Sequence, residues 1–429
     1  MSSVVDKIMI KENTDFDLII IGGGLAGASL ACAISRSEPS LQIAIVEAFP
    51  FKTDESVYQP AFDARSVALS YTSKQIFEGM GIWPFINQLG SAAIKKIHVS
   101  DRGHAGVTRL NAEDENVEAL GYVVETRVIG QALFSVLKKQ ENVQLIAPAR
   151  LKNYEVGDNS ASAILEQDGE VKTLTTKLLV AADGGDSVVR RLSGVRIKQR
   201  NYEQSAVIAN VATDRPHHNQ AFERFTDSGP LALLPMAATE KEPHRFSLVW
   251  TINSADTESI MSWDDETFLT KLKQRFGGRA GEFVHVSKRH VYPLSLMRAK
   301  EHVRERLAII GNAAHTVHPV AGQGFNLGLR DVAALSQVII DAVRNGNHDI
   351  GSLSVLEPYA DWRRRDHIQT TVATDSLVRI FSNNFLPLAA LRNLGLFVVD
   401  VVPPLKRVLA RHAMGFVGKM PRLGRGLKL

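Results

Sequence analysis

Residues 17–47 carry the pattern that most restricts the fold of this 429-residue chain. A short apolar run predicts a β-strand, a glycine-rich turn follows, and an alanine-rich run predicts an α-helix before a second apolar run. The segments are the strand Asp17–Ile21, the turn Gly22-x-Gly24-x-x-Gly27, the helix Ala28–Ser35 and the strand Gln42–Val46. This order predicts a βαβ unit with parallel strands.

The three glycines have distinct roles in such a unit. Gly22 allows the tight turn, Gly24 lets the backbone approach a pyrophosphate, and Gly27 lets the helix pack closely on the strand. Glu47 ends the second strand, 20 residues beyond Gly27, where it can accept hydrogen bonds from ribose hydroxyls. An acid here favours FAD or NAD over NADP. The segment predicts a dinucleotide site; a glycine turn without a ligand is the alternative.

A second nucleotide-binding pattern begins at residue 308. The apolar run Ala308–Ile310 predicts a buried strand that ends at Gly311-Asn312, and Leu327–Val338 predicts a helix. Between them lies the turn Pro319-x-x-Gly322-x-Gly324-x-Asn326. Backbone N–H groups and a helix N-terminus point at one place in this arrangement and stabilise negative charge there. A reduced flavin is an anion that needs such a partner.

A third pattern lies at residues 178–190. An apolar strand runs into the turn Asp183-Gly184 and then into a polar helix start at Ser187. Ligands of open α/β sheets bind at the carboxyl ends of strands, where Asp183 would lie. The alternative is an ordinary strand–turn–helix junction with Ser187 as the helix N-cap.

Together the three motifs resemble those of the group A flavoprotein monooxygenases, the para-hydroxybenzoate hydroxylase-like class. Longer strings resemble the ubiquinone-biosynthesis hydroxylases, most of all those acting on 2-octaprenyl-6-methoxyphenol, over residues 16–415. These strings are Phe62–Leu69, His98–Gly106, Tyr202–Val211 and Ala221–Pro235. The class usually has Asp where this chain has Asn312. Asn keeps an acceptor oxygen but removes a charge, so we expect altered affinity; Asn also fits the ubiquinone subgroup.

The resemblance implies FAD as cofactor, NAD(P)H as co-substrate, and hydroxylation of a polyprenyl phenol to the 1,4-benzoquinol by O2 through a flavin C4a-hydroperoxide. No second Rossmann motif for NAD(P)H is expected. The FAD-binding residues that it implies are Gly22, Gly24, Gly27, Glu47, Arg65, Arg127, Asp183, Gly184, Gly311, Asn312, Pro319, Gly322, Gly324, Phe325 and Asn326. Those that would position the flavin ring are His318, Pro319, Gly322, Gly324 and Asn326. Neither His315, His318 nor Tyr292 is assigned as the base for the phenol.

The expected fold class is α/β, with a Rossmann-like FAD-binding domain, an antiparallel-sheet substrate domain and a C-terminal helical region. Apolar and polar residues alternate at 206–212 and 246–252, which predicts strands. The FAD-binding parts are 1–84, 121–196 and 291–350. The substrate domain takes 85–120 and 197–290, and the helical region with its basic tail takes 351–429.

Composition excludes several other classes. A net charge of +4, with basic residues not interleaved with aromatic ones, argues against nucleic-acid binding. The single cysteine, Cys32, lies in the first predicted helix and is interpreted as a core residue. His98, His104, His217 and His218 are interpreted as surface or loop residues, and no cysteine–histidine cluster has metal-ligand spacing.

Localisation is predicted as cytoplasmic, with peripheral contact at the inner face of the membrane. Residues 1–14 lack a secretory pattern, and no run reaches 18 apolar residues. The apolar segment 385–405 and the basic residues after it suit anionic lipid. The alternative is a C-terminal helix packed on the body of the protein. A partner complex for ubiquinone biosynthesis is a further expectation.

The sequence has three alternative functional interpretations. A sister hydroxylase acting at another ring position would use the same residues. A flavin halogenase is disfavoured because the chain has no Trp-x-Trp-x-Ile-Pro string, the nearest being at 261–265. A non-catalytic flavin-binding scaffold of the same pathway is the third.

Overall fold

A mostly parallel sheet forms the first layer of the protein. The computed structural model describes residues 15–51, 65–316, 323–381 and 395–429. The order of the main strands is β18-β19-β11-β1-β2-β8, with β10 and β9 extending from β11. Their bounds are β1 Phe16–Ile21, β2 Ile43–Val46, β8 Val143–Ile146, β9 Arg150–Val156, β10 Ala161–Gln167, β11 Glu170–Ala181, β18 Val303–Arg304 and β19 Leu307–Ile309.

Helices cover this sheet because its central strands are apolar on both faces. Leu18 to Ile20 of β1 are fully buried, and β1 pairs in parallel with β2 and β11. The first core cluster joins β1 to three helices, α1 Leu25–Ser37, α4 Thr126–Leu137 and α8 Gln323–Arg344. The α/β fold class and the βαβ unit predicted from the sequence are confirmed, with α1 and α8 longer than predicted at both ends.

A second, larger sheet is almost wholly antiparallel. Its order is β20-β17-β12-β15-β14-β13-β5-β6, with β16 beside β12; β5 and β13 are the parallel exception. The bounds are β5 Lys96–Asp101, β6 Val107–Asn111, β12 Ile197–Thr213, β13 Gln220–Thr226, β14 Gly229–Pro235, β15 Arg245–Asn253, β16 Phe283–Val286, β17 His290–Ala299 and β20 His315–Thr316. The division of the chain into six segments remains a proposal.

One face of the second sheet is closed by helices. Phe268 and Leu272 of α7 pack on Phe222 of β13 and Leu233 of β14 in a single core cluster. Because side chains alternate along a strand, Ala221, Glu223 and Phe225 lie on the opposite face of β13. That face is turned toward the first sheet. The helices here are α6 Thr257–Ser262 and α7 Asp265–Phe276.

The remaining elements join the two layers. A three-stranded sheet has the order β3-β7-β4, with β3 Ser66–Ser70, β4 Ala92–Ile94 and β7 Gly121–Glu125. The other helices are α2 Tyr71–Gly79, α3 Trp83–Leu89, α5 Val188–Leu192, α9 Leu353–Phe381 and the C-terminal helix Pro403–Ala413, which follows helical residues 395–401. Short 3-10 turns lie at Glu113–Glu115, Ser254–Asp256, Gly311–Ala313 and Leu423–Arg425.

The interpretation of His98 as a surface residue is wrong. His98 lies in β5, is only 5% exposed and packs edge-on against Phe222. Burial, together with nearby arginines such as Arg279, lowers the pKa of His98 to about 4, so the ring is neutral. Cys32 is fully buried, and burial raises the pKa of its thiol to about 12, as suits a core residue.

The C-terminal helix packs on the second sheet and also exposes apolar side chains. Ala410 and Met414 join a core cluster with Leu110 and Leu120, and the Thr108 hydroxyl donates a 2.8 Å hydrogen bond to the Leu396 carbonyl. Within the described residues, none of the helices has the length and apolar character to cross a bilayer. Residues 385–394 of the predicted apolar segment lie outside the described part.

Candidate functional site

The first glycine turn has the geometry that its sequence predicts. Gly22 has φ +106, and a Cβ there would lie 2.5 Å from the Ala182 carbonyl oxygen. A Cβ on Gly27 would collide with the Gly22 carbonyl oxygen. Gly24 has no atom within 4 Å of its Cβ position. The first turn of α1 has neither an acidic side chain nor a side-chain cap, so its N–H groups are available to an anion.

Glu47 stands at the carboxyl end of β2, as predicted. Its Oε2 accepts a 2.8 Å hydrogen bond from the Gly23 N–H, and its Oε1 accepts one of 3.2 Å from the Phe49 N–H. These bonds fix the carboxylate beside the glycine turn. We propose that its remaining lone pairs accept the ribose hydroxyls.

Asp183 has one bonded and one unpartnered carboxylate oxygen. Its Oδ2 accepts a 3.1 Å hydrogen bond from the Val189 N–H, while Oδ1 is buried without a partner in the described structure. Gly184 beside it has φ +85 and open space at its Cβ position. Ser187 caps α5 by accepting from the Arg190 N–H at 3.0 Å. The N-cap interpretation therefore holds without removing the ligand interpretation, because Asp183 Oδ1 still lacks a donor.

The pattern that begins at residue 308 meets the other two nucleotide-binding patterns at one cavity. Gly311, Asn312, Gly324 and Phe325 all line it. Gly311 has φ +59, and its N–H donates a 3.0 Å hydrogen bond to Asp331 Oδ2. Predicted site residues His318, Pro319 and Gly322 lie outside the described residues.

Asn326 holds two elements together. Its Oδ1 accepts from the Ser70 N–H at 2.9 Å and from the Ser73 hydroxyl at 2.7 Å. Its Nδ2 donates to the Ala68 carbonyl at 2.8 Å. The side chain thus ties α8 to β3, and we propose that Asn326 acts on the flavin site through this placement.

The two predicted arginines are not among the described lining residues. Arg65 is exposed and donates a 3.1 Å hydrogen bond to the Tyr292 hydroxyl. Arg127 is the second residue of α4, and its Nε lies 3.4 Å from Glu125 Oε2. Its neighbour Thr126 does line the cavity. Their roles toward FAD remain proposals.

The cavity has a volume of about 510 Å³, within the usual range for small-molecule sites. Glycine-motif residues form one wall, and the open face of the second sheet forms the other. The described lining on the first wall includes Gly24, Leu25, Ala26, Ala182, Gly184, Gly311, Asn312, Gly324, Phe325 and Gly328; on the sheet wall it is Ile208, Glu223, Ala232, Leu234, Ser247 and Val249. A smaller cavity of about 70 Å³ shares Ala68, Glu223 and Leu234 with it.

Glu223 is a polar residue of the site that sequence reasoning missed. Its side chain borders both cavities, and its Oε1 is buried without a partner in the described structure. Burial raises the pKa of Glu223 to about 7. The missed signal was a carboxylate at an alternate position of an apolar strand, on the face shared by Ala221 and Phe225.

Beside the pattern that begins at residue 308 lies a buried ionic cluster centred on Asp331. Its Oδ2 accepts from the Gly311 N–H and from His315 Nε2 at 2.8 Å. Its Oδ1 accepts from Arg363 Nε at 2.7 Å and from His367 Nε2 at 2.8 Å. Burial opposes ionisation of Asp331, but these neighbours outweigh it and hold its pKa well below the usual range. Burial lowers the pKa of His367, so that ring donates as a neutral group.

His315, Asp331 and His367 lie close enough to share a metal ion. The guanidinium of Arg363 already pairs with Asp331, and Arg330 and Arg363 both pair with the buried Asp366. Two arginines and two carboxylates balance in charge, so a divalent cation would add uncompensated positive charge. We interpret the group as a structural network. The network also engages Nε2 of His315, and His315 is not among the described residues that line the cavity.

The residues present fit FAD. The unpartnered Asp183 Oδ1 awaits a donor such as a sugar hydroxyl, and Gly24 and Gly184 leave room for close backbone approach. The N-terminus of α1, which has no acidic side chain and no side-chain cap in its first turn, is open to a phosphate. All of these groups face one cavity or the turn beside it.

Comparison with known proteins identifies the family. A profile for the FAD binding domain matches residues 15–373. The chain is 36% identical to the ubiquinone hydroxylase UbiL of Rhodospirillum rubrum, over 96% of this chain and 93% of the relative. It is 31% identical to the human mitochondrial ubiquinone biosynthesis monooxygenase COQ6, over 94% and 93%.

Solved structures share the fold. The p-nitrophenol 4-monooxygenase PnpA of Pseudomonas putida superposes with a TM-score of 0.75 at 16% identity, covering 94% of this chain and 98% of that one. PqsL of Pseudomonas aeruginosa, a probable FAD-dependent monooxygenase, gives 0.69 at 19% identity over 89% and 99%. With three glycine motifs on one cavity and relatives similar over nearly the whole chain, the protein belongs to the FAD binding domain family and is an FAD-dependent monooxygenase of the ubiquinone-biosynthesis hydroxylases.

Proposed function

We propose that this enzyme hydroxylates the ring of a polyprenylated phenol, converting 2-octaprenyl-6-methoxyphenol to the 1,4-benzoquinol with O2 and NAD(P)H. The supporting observation is the two-walled cavity. One wall carries the glycine motifs, and the facing sheet presents Ile208, Ala232, Leu234 and Val249, which suit an apolar aromatic ring. Relatives named for ubiquinone hydroxylation support the same substrate class.

Bound FAD would supply the activation of O2, which side chains cannot provide. Gly24, Asp183, Gly184 and Asn312 would hold it through backbone approach and hydrogen bonds. The sheet wall would hold the phenol against the flavin and exclude water, which limits side reactions. Such positioning is the main task of this chain's own residues.

A sister hydroxylase of different regiospecificity would share this cavity, and a non-catalytic flavin-binding scaffold would share the FAD wall. The sister reaction differs only in which ring carbon meets the flavin. The scaffold differs in turnover, because NADPH oxidation by a hydroxylase rises when a phenol is added.

Cell complementation tests the proposal. A bacterial strain lacking its own hydroxylase for this ring position would receive this chain, and its quinone lipids would be measured by mass spectrometry. Restored ubiquinone with loss of the accumulated phenol supports the proposal. FAD-loaded protein that leaves the precursor in place contradicts it, and products oxidised at another ring carbon identify a sister enzyme.

We infer in addition that the C-terminal region docks on an anionic lipid surface. Five apolar residues form an exposed patch, called here the C-terminal patch: Phe397, Val401, Val402, Leu405 and Val408. Arg407 and Arg411 are exposed on the C-terminal helix, which also carries Leu405 and Val408. Apolar side chains flanked by cations match the interface of an anionic bilayer, where a polyprenyl substrate is dissolved.

Vesicle binding tests this surface with matched variants. Sedimentation would compare phosphatidylcholine vesicles with and without phosphatidylglycerol. Leu405→Ser with Val408→Ser should weaken binding to anionic vesicles by about tenfold, because less apolar surface is buried. Val171 is the control, since it is as exposed as Val408, at 68%, but lies on the first sheet. Equal loss with Val171→Ser, or binding only to another protein of the pathway, would contradict lipid docking.

A further inference from the structure

Glu223 occupies a singular position on the sheet wall. Paired residues of neighbouring strands share a face, and the pairs Ile208–Val249, Val249–Ala232, Ala232–Glu223 and Glu223–Val99 form one row across five strands. Glu223 is the only charged member of that row. Among the described lining residues of both cavities it is also the only charged side chain.

A structural role does not account for this carboxylate. Buried polar groups in proteins are nearly always hydrogen-bonded, and burying an unpaired acid is costly. Glu223 Oε1 is buried without a partner in the described structure. By contrast Glu125, nearby on β7, pairs with Arg245 at 2.8 Å. An unpaired acid facing a substrate cavity is a typical acid–base residue.

Charged groups on the elements around Glu223 are remote or engaged. On β5 the next residue of the same face is Asp101, whose Oδ2 lies 3.6 Å from His104 Nδ1. The row continues on β17 to His290, four strand spacings or about 19 Å away. From α8 and the C-terminal helix, the residues that border the smaller cavity are Asn326 and Ala413, which are uncharged. Its acidity is therefore set by burial.

We propose that the Glu223 carboxylate is the acid–base residue of the phenol site, accepting the proton of the substrate's phenolic hydroxyl. The inference rests on the proposed function. The O–H bond breaks, the proton binds a Glu223 oxygen to give a carboxylic acid, and the electron pair stays on the phenolate and enriches the ring. The step is a proton transfer, with no oxidation or reduction. The acid returns the proton to the same oxygen when the quinol forms.

The acidity of Glu223 suits this role. An exposed glutamate is too weak a base for a phenol, whose pKa is about 10. With its pKa raised to about 7, Glu223 is a stronger base that is about half ionised at neutral pH and largely ionised at mildly alkaline pH. The apolar row around it would also strengthen the hydrogen bond to the phenol, because few competing dipoles are present.

The test uses FAD-loaded full-length enzyme with 2-methoxy-6-prenylphenol, a soluble single-isoprene probe. Binding to the oxidised enzyme is followed by the flavin absorbance change, and proton release by an indicator dye in weak buffer. A phenol O–H favours the ionised carboxylate, so binding near pH 7 should release protons and should tighten as pH rises. Glu223→Gln should abolish both effects while keeping full flavin content.

Turnover adds the second readout. Glu223→Gln should lower kcat/KM by about 10²–10⁴-fold and should remove the fall in kcat/KM below about pH 7 (the acidic limb of the pH profile). Glu223→Asp should keep that acidic limb and have intermediate activity. Glu155→Gln is the matched control, an exposed strand glutamate of the first sheet that should match the wild type.

The outcomes separate this proposal from the proposed function. If wild type hydroxylates the probe and Glu223→Gln equals it, or keeps the acidic limb and proton release, only the Glu223 assignment is overturned. If FAD-loaded wild type neither binds nor oxidises the probe, the substrate class itself is overturned. If Glu223→Gln is loaded with flavin but loses both the acidic side of the kcat/KM pH profile and the proton release, the result supports the Glu223 assignment and the proposed function.

Discussion

Two carboxylates, the fully buried Asp331 and the half-buried Glu223, lie in opposite environments. Asp331 accepts hydrogen bonds from a backbone amide, two histidines and Arg363, and its pKa is held low. Glu223 Oε1 has no partner in the described structure, and burial raises its pKa to about 7. A carboxylate whose oxygens are hydrogen-bonded holds a loop in place, whereas a carboxylate without partners keeps a raised pKa and can accept a proton. This difference separates the residues that bind the cofactor from the residue proposed to take part in the reaction.

Breaking the satisfied acid should have the largest effect. Asp331→Asn leaves the buried Arg363 without its strongest partner, and removal of one member of a buried ion pair costs about 3–5 kcal/mol. We expect a loss of that size in the free energy of unfolding by urea, with reduced flavin content. Asp361→Asn, on α9 with Arg363 and in an exposed pair with Arg364, should change stability by less than about 0.5 kcal/mol. Similar values for both variants would refute the central role of the cluster.

Removing the unsatisfied charge should instead stabilise the protein at alkaline pH. The folded pKa of Glu223, about 7, lies above the ordinary value of 4.5, so folding favours its protonated form. That contribution is fully present below pH 4.5 and is lost as pH rises through 7. Glu223→Gln should therefore gain up to about 3 kcal/mol over wild type between pH 5 and pH 8. A pH-independent difference in urea unfolding between the two proteins would contradict the raised pKa.

A half-satisfied acid lies between these extremes. Asp183→Ala removes the unpartnered Oδ1, and one hydrogen bond to a charged group is worth about 1.5–3 kcal/mol. FAD affinity, measured by fluorescence titration of the deflavinated protein, should fall about 10–100-fold. Asp186→Ala is the control, because that carboxylate is 97% exposed and pairs only with Arg191 in the described structure. Unchanged affinity in Asp183→Ala would remove its proposed role.

Adding a carboxylate to the FAD wall should have the smallest effect. Asn312→Asp places a charge where the residue is exposed toward the cavity, so little desolvation cost arises. We expect FAD affinity to change by less than about tenfold, since both side chains offer an acceptor oxygen. A loss of flavin as large as that of Asp183→Ala would show that the wall does not tolerate charge.

The sequence predicts the cofactor-binding residues of the site better than it predicts Glu223, the residue proposed to accept the proton. Gly22, Gly27 and Gly311 can be predicted from the sequence because steric limits on the backbone require glycine there. Asp183 can be predicted because it follows the end of a buried strand. These are local relations of strand, turn and helix. The α/β class and the βαβ unit follow from the same periodicities.

Long-range pairing explains what was not predicted. Glu223 faces the cavity because β13 pairs with β14 and with β5, and the pairing with β5 joins residues over 120 positions apart. Asn326 was assigned to the flavin, yet its side chain bonds to β3, some 250 residues earlier. His98 was misread because polar neighbours in sequence say little about which strand face is covered.

The Asp331 cluster also makes cofactor loading a measure of how much of the chain has been made. Gly22 is synthesised well before Gly311, whose amide is held by Asp331, and Asp331 is held in turn by Arg363. A ribosome releases these parts in sequence, so the flavin pocket closes only after Arg363 has emerged. Free FAD would then be retained by correctly packed molecules that contain Arg363, and chains terminated before it would be colourless.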